Sequence, residues 1–150
     1  MSASSTSDSV KASASNGRLN FNNAWCSATF NEEPLFLQVD LNEMHIITAI
    51  ASQSRNTDEG IFESVTKYKL GHSEDGASWN IYQQNGVNKE FLGNVVEDII
   101  TKHHLAIPVK ARLVQFQPVE MLSSVCMRVE LYGEKSAAEN TGKCIGFYII

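Results

Sequence analysis

A chain of 150 residues with 43% hydrophobic and 19% charged side chains has the size and composition of one globular domain with a true core. Its net charge of −5, from 17 acidic and 12 basic residues, argues against the clustered Lys and Arg of a nucleic-acid surface and weakens attraction to anionic membranes. No apolar run approaches the ~20 residues of a membrane span, and three cysteines with no C-x-x-C pair and no neighbouring His form no metal motif.

Residues 1–9 are polar and Ser-rich and are expected to be a disordered leader. They open the stretch "MSASSTSDSVKASASNG", which has no apolar segment and so is no signal peptide. There is also no N-x-[ST] glycosylation sequon. Alone, these points suggest an intracellular protein; they fit equally a piece that starts inside a longer secreted one. From Val10 the pattern is one of short strands. In "LFLQVDL", Leu35, Leu37, Val39 and Leu41 alternate with polar residues, the period of a half-buried strand. "HIITAIASQ" is nearly all apolar or β-branched, as expected of a strand covered on both faces. "VTKYKLGHS" alternates again, and Asp75-Gly76 then signals a hairpin returning through "ASWNIY".

Further along, "EDIITKHHL", "ARLVQFQP" and "CMRVELYG" are short β-rich runs bounded by Gly, Pro, Asn or Ser. Many short strands with turn residues between them predict an all-β sandwich or barrel. Residues 134–150 change character, from a polar stretch to the apolar "IGFYII", and read as a linker or tail, or else as a strand docked on the domain.

The order and wording of these segments resemble the discoidin (coagulation factor 5/8 type C) family. The resemblance rests on "GRLN" (17–20), "AWC" (24–26), "FLQVDL" (36–41), "ITAIASQSR" (47–55), "VTKYKLGHSEDGASW" (65–79), "GNVVEDIITKHHL" (93–105), "PVKARLVQFQP" (108–118) and "CMRVELYG" (126–133). The last two phrases are similar to the collagen-binding receptor branch. The resemblance implies a domain over residues 10–133 with a distorted jelly-roll β-sandwich or barrel of the galactose-binding-domain-like kind. Loops at one end would carry the binding face, as is general for rigid sandwiches. It also implies a disulfide between Cys26 and Cys126, against the alternative of two buried free thiols in a reducing compartment. The cysteine pair that commonly joins the two ends of family members is missing, because Glu134 follows "ELYG".

On those loops the candidate ligand-binding residues are Asn16, Arg18, Asn22, Arg55, Asn56, Asp58, Ile61, Phe62 and Glu63. Positions like Arg55 and Glu63 form an ion pair on the binding face of the collagen-binding relatives; the plain reading is a pair that merely pins a loop. Ile61 and Phe62 match the apolar spikes of membrane-binding relatives, but Asp58 and Glu59 beside them would repel an anionic bilayer. The first loop is shorter than in the collagen binders and lacks their exposed Trp. Trp25 and Trp79 are expected in the core. His103 and His104 point to opposite faces of a strand and cannot readily chelate one ion. Arg128 and Glu130 share a strand face and suit a buried ion network with Asp40 or Arg112.

Catalysis has no candidate constellation. "GHSEDG" lacks the second Gly of a nucleophile elbow, and the acid pairs Glu32-Glu33 and Asp58-Glu59 are adjacent rather than opposed. The expectation is a non-catalytic extracellular or cell-surface adhesion module, part of a longer protein, that needs no cofactor or metal. Its ligand would be a protein, collagen-like or otherwise, or a glycan. Peripheral phospholipid binding through Ile61 and Phe62, or service as an accessory domain of a larger enzyme, are the alternatives.

Overall fold

A computed structural model describes residues 1–7, 12–30, 34–56, 60–97, 99–137 and 148–149. In chain order the strands are β1 (Ser2–Ala3), β2 (Trp25–Cys26), β3 (Leu37–Gln53), β4 (Arg55–Asn56), β5 (Phe62–Ser73), β6 (Asn80–Ile81), β7 (Gln83–Gln84), β8 (Val87–Asn88), β9 (Glu90–Leu92), β10 (Ile100–Leu122), β11 (Cys126–Lys135) and β12 (Tyr148–Ile149). A 3-10 turn at Ala14–Asn16 precedes β2. The pairings between these strands are antiparallel, and the main path runs β12-β11-β3-β10-β5-β4. The all-β expectation holds.

Two runs expected as separate strands are joined. "LFLQVDL" and "HIITAIASQ" make the single strand β3, and "EDIITKHHL" and "ARLVQFQP" make β10. Each bends where its partner's register slips. Asn42 takes φ 64, with its N–H donating to Asp40 Oδ1 at 2.8 Å, and β10 shifts between Ala111 and Leu113. A further shift lies between His104 and Val109, around Pro108, which has no N–H to give a ladder. These bends let one pair of long strands serve both layers. Residues 45–53 of β3 pair with β11, while residues 37–40 sit opposite the stretch of β10 that also pairs with β5.

The core between the layers holds Trp25, Leu37, Ile47, Ile50, Tyr68, Leu70, Phe116, Val129 and Leu131, all essentially inaccessible. Tyr68 stacks on Phe91 and tilts against Phe116, with ring centroids 5.7 and 5.6 Å apart. Burial pushes the Tyr68 phenol up from its ordinary pKa. At Gly133 β11 closes on β3 so tightly that a Cβ would stand 2.1 Å from the Ile46 carbonyl oxygen. Gly133→Ala is therefore expected to prise the two strands apart at a cost of about 1–3 kcal/mol. Urea unfolding measures it, and an unmoved midpoint would refute the close approach.

The N-terminal end departs from expectation. Residues 1–7 are not a disordered leader: Ser2 and Ala3 pair with Gln38 and Leu37, the Ser4 N–H donates to Phe36 O, and the Ser7 N–H donates to Cys26 O. Side chains add to these backbone bonds, Ser4 Oγ accepting the Phe36 N–H at 2.8 Å and Ser5 Oγ the Ala28 N–H at 3.3 Å. At the other end β11 runs on through Glu134 and Lys135, and Tyr148–Ile149 adds a strand against Tyr132 and Gly133. The linker-or-tail reading concerns residues 134–150, of which 138–147 and 150 lie outside the described residues.

The hairpin at Asp75-Gly76 is present, with β6 returning against Gly71 and His72. Its loop is wider than two residues. Asp75 Oδ1 accepts the N–H groups of Ala77 and Ser78, each at 2.9 Å, and these bonds pull its carboxyl below the usual carboxylate range. Trp79 ends that loop and is half-buried, its indole N–H bonded to Gly76 O, so it does not join the core as expected.

Candidate functional site

The site grows from one covalent link. Cys26 of β2 and Cys126 of β11 lie directly opposite each other in register and are disulfide-bonded. Beside the bridge, β4 and β5 form a narrow hairpin in which Arg55 faces Glu63 and Asn56 faces Phe62. Arg55 Nη1 lies 3.3 Å from Glu63 Oε2 and donates at 3.3 Å to Cys26 Sγ; Glu63 Oε2 is 3.4 Å from Cys126 Sγ. Only 18% and 16% of the two side chains is accessible. The ion pair is thus packed onto the bridge, which makes it stronger than a solvent-screened surface pair.

Cys26, Cys126 and Glu63 converge within 4.8 Å, a spacing that could suggest a metal centre. Both sulfurs are spent in the disulfide, so only one carboxylate remains to ligate.

A second anchor is Arg128, buried on β11. Its guanidinium donates through Nε and Nη2 to Ser54 O and through Nη1 to Phe21 O. One side chain thereby ties the first loop to the end of β3, and the Asn20 N–H adds a bond to Gln53 Oε1 at 3.0 Å. A third anchor is Asn94, also buried. Its side-chain amide donates to Ile99 O and Thr101 Oγ1, its carbonyl accepts Ser64 Oγ, and its backbone N–H donates to Val65 O. The segment around residues 93–99 is thus held beside the start of β5.

Around these buried polar anchors stand uncovered apolar side chains. Phe21, Ile61, Val95, Val96, Ile99 and Leu122 are all exposed, with Ile61 at 47% and Val95 at 71%. Contiguous exposed apolar groups rimmed by polar ones mark interaction surfaces. Acidic Glu97 and Glu120 are exposed on the same loops or at their edge.

The candidate residues fall into three groups. Arg55, Ile61, Phe62 and Glu63 meet on the hairpin beside the disulfide, Phe62 half-buried and Ile61 outward, and the backbone of Asn56 pairs with Phe62. Asn22 is exposed next to Phe21. Arg18 and Asn16 are elsewhere: Asn16 ends the 3-10 turn, and Arg18 Nη2 grips both carboxylate oxygens of Glu130 at 3.0 and 3.1 Å. Arg18 lines a separate hollow of about 390 Å³ with Asp40 and Asn42. Asp58 lies outside the described residues.

The single ion network expected of Asp40, Arg112, Arg128 and Glu130 is divided. Arg112 chelates Asp40 through Nε and Nη2 at 3.0 and 2.8 Å, which, with the Asn42 N–H, holds the Asp40 carboxyl below the ordinary range. Glu130 takes Arg18, and Arg128 binds carbonyls. Of the exposed apolar residues around the anchors, those absent from the candidate set are Phe21, Val95, Val96, Ile99 and Leu122; for Val95, Val96 and Ile99 the local signal is an apolar pair followed by a β-branched run, which does not reveal exposure.

Comparison with known proteins agrees with this geometry. The model of the F5/8 type C domain family matches residues 1–131. The chain is 36% identical over 111 residues to lactadherin of Mus musculus, covering 74% of this chain and 24% of that protein. It is 35% identical over 113 residues to epithelial discoidin domain-containing receptor 1 of Homo sapiens, covering 73% and 12%. The chain therefore spans a quarter or less of the length of these curated relatives. Discoidin II of Dictyostelium discoideum superposes with a TM-score of 0.77 at 23% identity, over 90% of this chain and 55% of that one. A family 32 CBM from C. perfringens, solved in complex with galactose, superposes at 0.61 with 17% identity, over 85% of each chain. These last two likenesses are of fold.

Proposed function

Because this chain belongs to the F5/8 type C domain family, we propose that it is a non-catalytic recognition module that binds a protein or glycan through the loop end. The observation that supports this reading most is the combination of rigidity and exposure there. Arg128, Asn94 and the Cys26–Cys126 bridge hold separate loops together while Phe21, Ile61 and Val95 stay uncovered. A pre-ordered apolar surface loses little conformational entropy on binding, so its contacts appear as affinity. The module would act outside the cell or at its surface, where a disulfide persists. No helix among the described residues is long and apolar enough to cross a membrane.

The same apolar rim favours a second reading, insertion into a phospholipid surface. The exposed Glu97 opposes it for anionic lipid, while Glu120 is paired with Lys67 at 2.6 Å. One array decides between them, with collagen, neutral and acidic glycans, and phosphatidylserine vesicles as probes for the purified chain. The triple variant Phe21→Ser, Ile61→Ser, Val95→Ser is expected to lose protein or acidic-glycan binding while its unfolding midpoint barely moves. Retained protein or acidic-glycan binding in that variant refutes the loop-end reading, and binding confined to vesicles selects the lipid one.

A further inference from the structure

We infer a second binding site, for a neutral oligosaccharide, on the outer face of β3, β10 and β5. Residues alternate across a strand, so with Val114 and Phe116 in the core, Gln115 and Gln117 lie on the opposite face, Gln115 buried among its neighbours and Gln117 half-buried. Gln115 is opposite Gln38 on β3 and Gly71 on β5. The three glutamines form a ladder: Gln117 Nε2 donates to Gln115 Oε1, and Gln115 Nε2 donates to Gln38 Oε1, each at 3.0 Å. Position 71 carries no side chain and leaves room for Gln117 Nε2, which would stand 2.9 Å from a Cβ there.

Within the ladder Gln115 and Gln117 each use one N–H, and Gln38 uses none. Among the described residues nothing else takes the remaining N–H groups or Gln117 Oε1. The floor therefore offers a row of amide donors and an acceptor at fixed spacing. Trp79 forms one wall, held in place by its bond to Gly76 O, and Phe36 and Pro34 stand across from it. The hollow measures about 550 Å³, within the roughly 300–1,000 Å³ of small-ligand sites. It meets a neighbouring hollow of about 460 Å³ at Pro34 and Gln117, giving a groove longer than one sugar ring.

The lining decides the ligand class. Among the described residues no charged side chain lines the Trp79 hollow, and Lys69 of the adjoining hollow lies 4.0 Å from Glu90, so an anionic ligand would be desolvated with little counter-charge. An extended peptide added as a strand needs an unpaired edge, whereas this floor lies on strands already paired to one another. Hydroxyl groups both donate and accept, as primary amides do, and the C–H face of a pyranose packs on an indole. A neutral oligosaccharide satisfies the floor and the wall together.

The Trp79 hollow shares no lining residue with Phe21, Ile61 or Val95, and the test separates the two. The purified chain is titrated with short neutral gluco-, manno- and galacto-oligosaccharides, with sialylated and sulfated glycans as charged counterparts. Trp79→Ala and Gln117→Leu are each expected to weaken binding of a neutral oligosaccharide roughly tenfold or more, and Phe21→Ser/Ile61→Ser/Val95→Ser to leave it unchanged. Should either variant prove unstable, perturbation of the Trp79 indole and Gln38, Gln115 and Gln117 side-chain amide resonances in the unaltered chain reports the same contact. The inference is overturned if no neutral oligosaccharide binds, if binding survives both groove variants, if the loop-end triple abolishes it, or if those resonances stay still.

Discussion

Replacing Cys26 and Cys126 together by alanine is expected to lower the unfolding free energy by about 4–5 kcal/mol. The bridge spans 100 residues of chain, and in the chain-entropy model a loop of that length costs the cross-linked denatured state roughly this much freedom. For a domain of this size that is a drop of roughly 10–18 °C in Tm. Wild-type protein unfolded under reducing conditions should approach the same midpoint, because both experiments release the same loop. The effect is not confined to the unfolded chain: Arg55 and Glu63 rest on the two sulfurs, so the hairpin carrying Ile61 loses its floor. A double variant as stable as the wild type would show that the bridge contributes no net stability.

Arg128→Met keeps the length and apolar stem of the side chain and removes only the guanidinium. The carbonyls of Ser54 and Phe21 then lose their donor in a place where water reaches poorly. Losing charge-assisted bonds and leaving buried acceptors unpaired adds to about 3–5 kcal/mol. The damage should be graded. Amide exchange near residues 20–22 and 53–55 should accelerate far more than exchange at Phe116 or Leu131, since only the former are tied through this side chain. Arg128→Lys should rescue little, because one ammonium lacks the planar fork that bonds two carbonyls at once. Uniform acceleration over the whole chain would place Arg128 in the global core rather than at the loop end.

Much of the fold was legible. Alternation in "LFLQVDL" and "VTKYKLGHS", the hairpin dipeptide at Asp75-Gly76, and the order of the discoidin-like segments all pointed to an antiparallel sandwich. Another hairpin went unread: Asn85-Gly86, at φ 55 and 76, turns β7 into β8, the Asn-Gly turn chemistry of a hairpin. The site was legible only in part. Arg55 and Glu63 are eight residues apart and meet across a hairpin, a local event that sequence spacing can suggest. Arg18 and Glu130 are 112 residues apart, and nothing in either segment names the other.

What the sequence determined by itself follows from local physics: a period of two for strands, turn chemistry at Asp75-Gly76, and a net charge of −5. What only the tertiary structure decided are the consequences of long-range pairing. The bends of β3 and β10 put Gln38 beside Gln115, and β11 brings Arg128 to Phe21. Ser2 and Ala3 are ordered by backbone bonds that leave no mark on side-chain composition. Whether Trp79 or Val95 lies in the core or in solvent depends on which layer folds over it, and residues adjacent in sequence do not encode that.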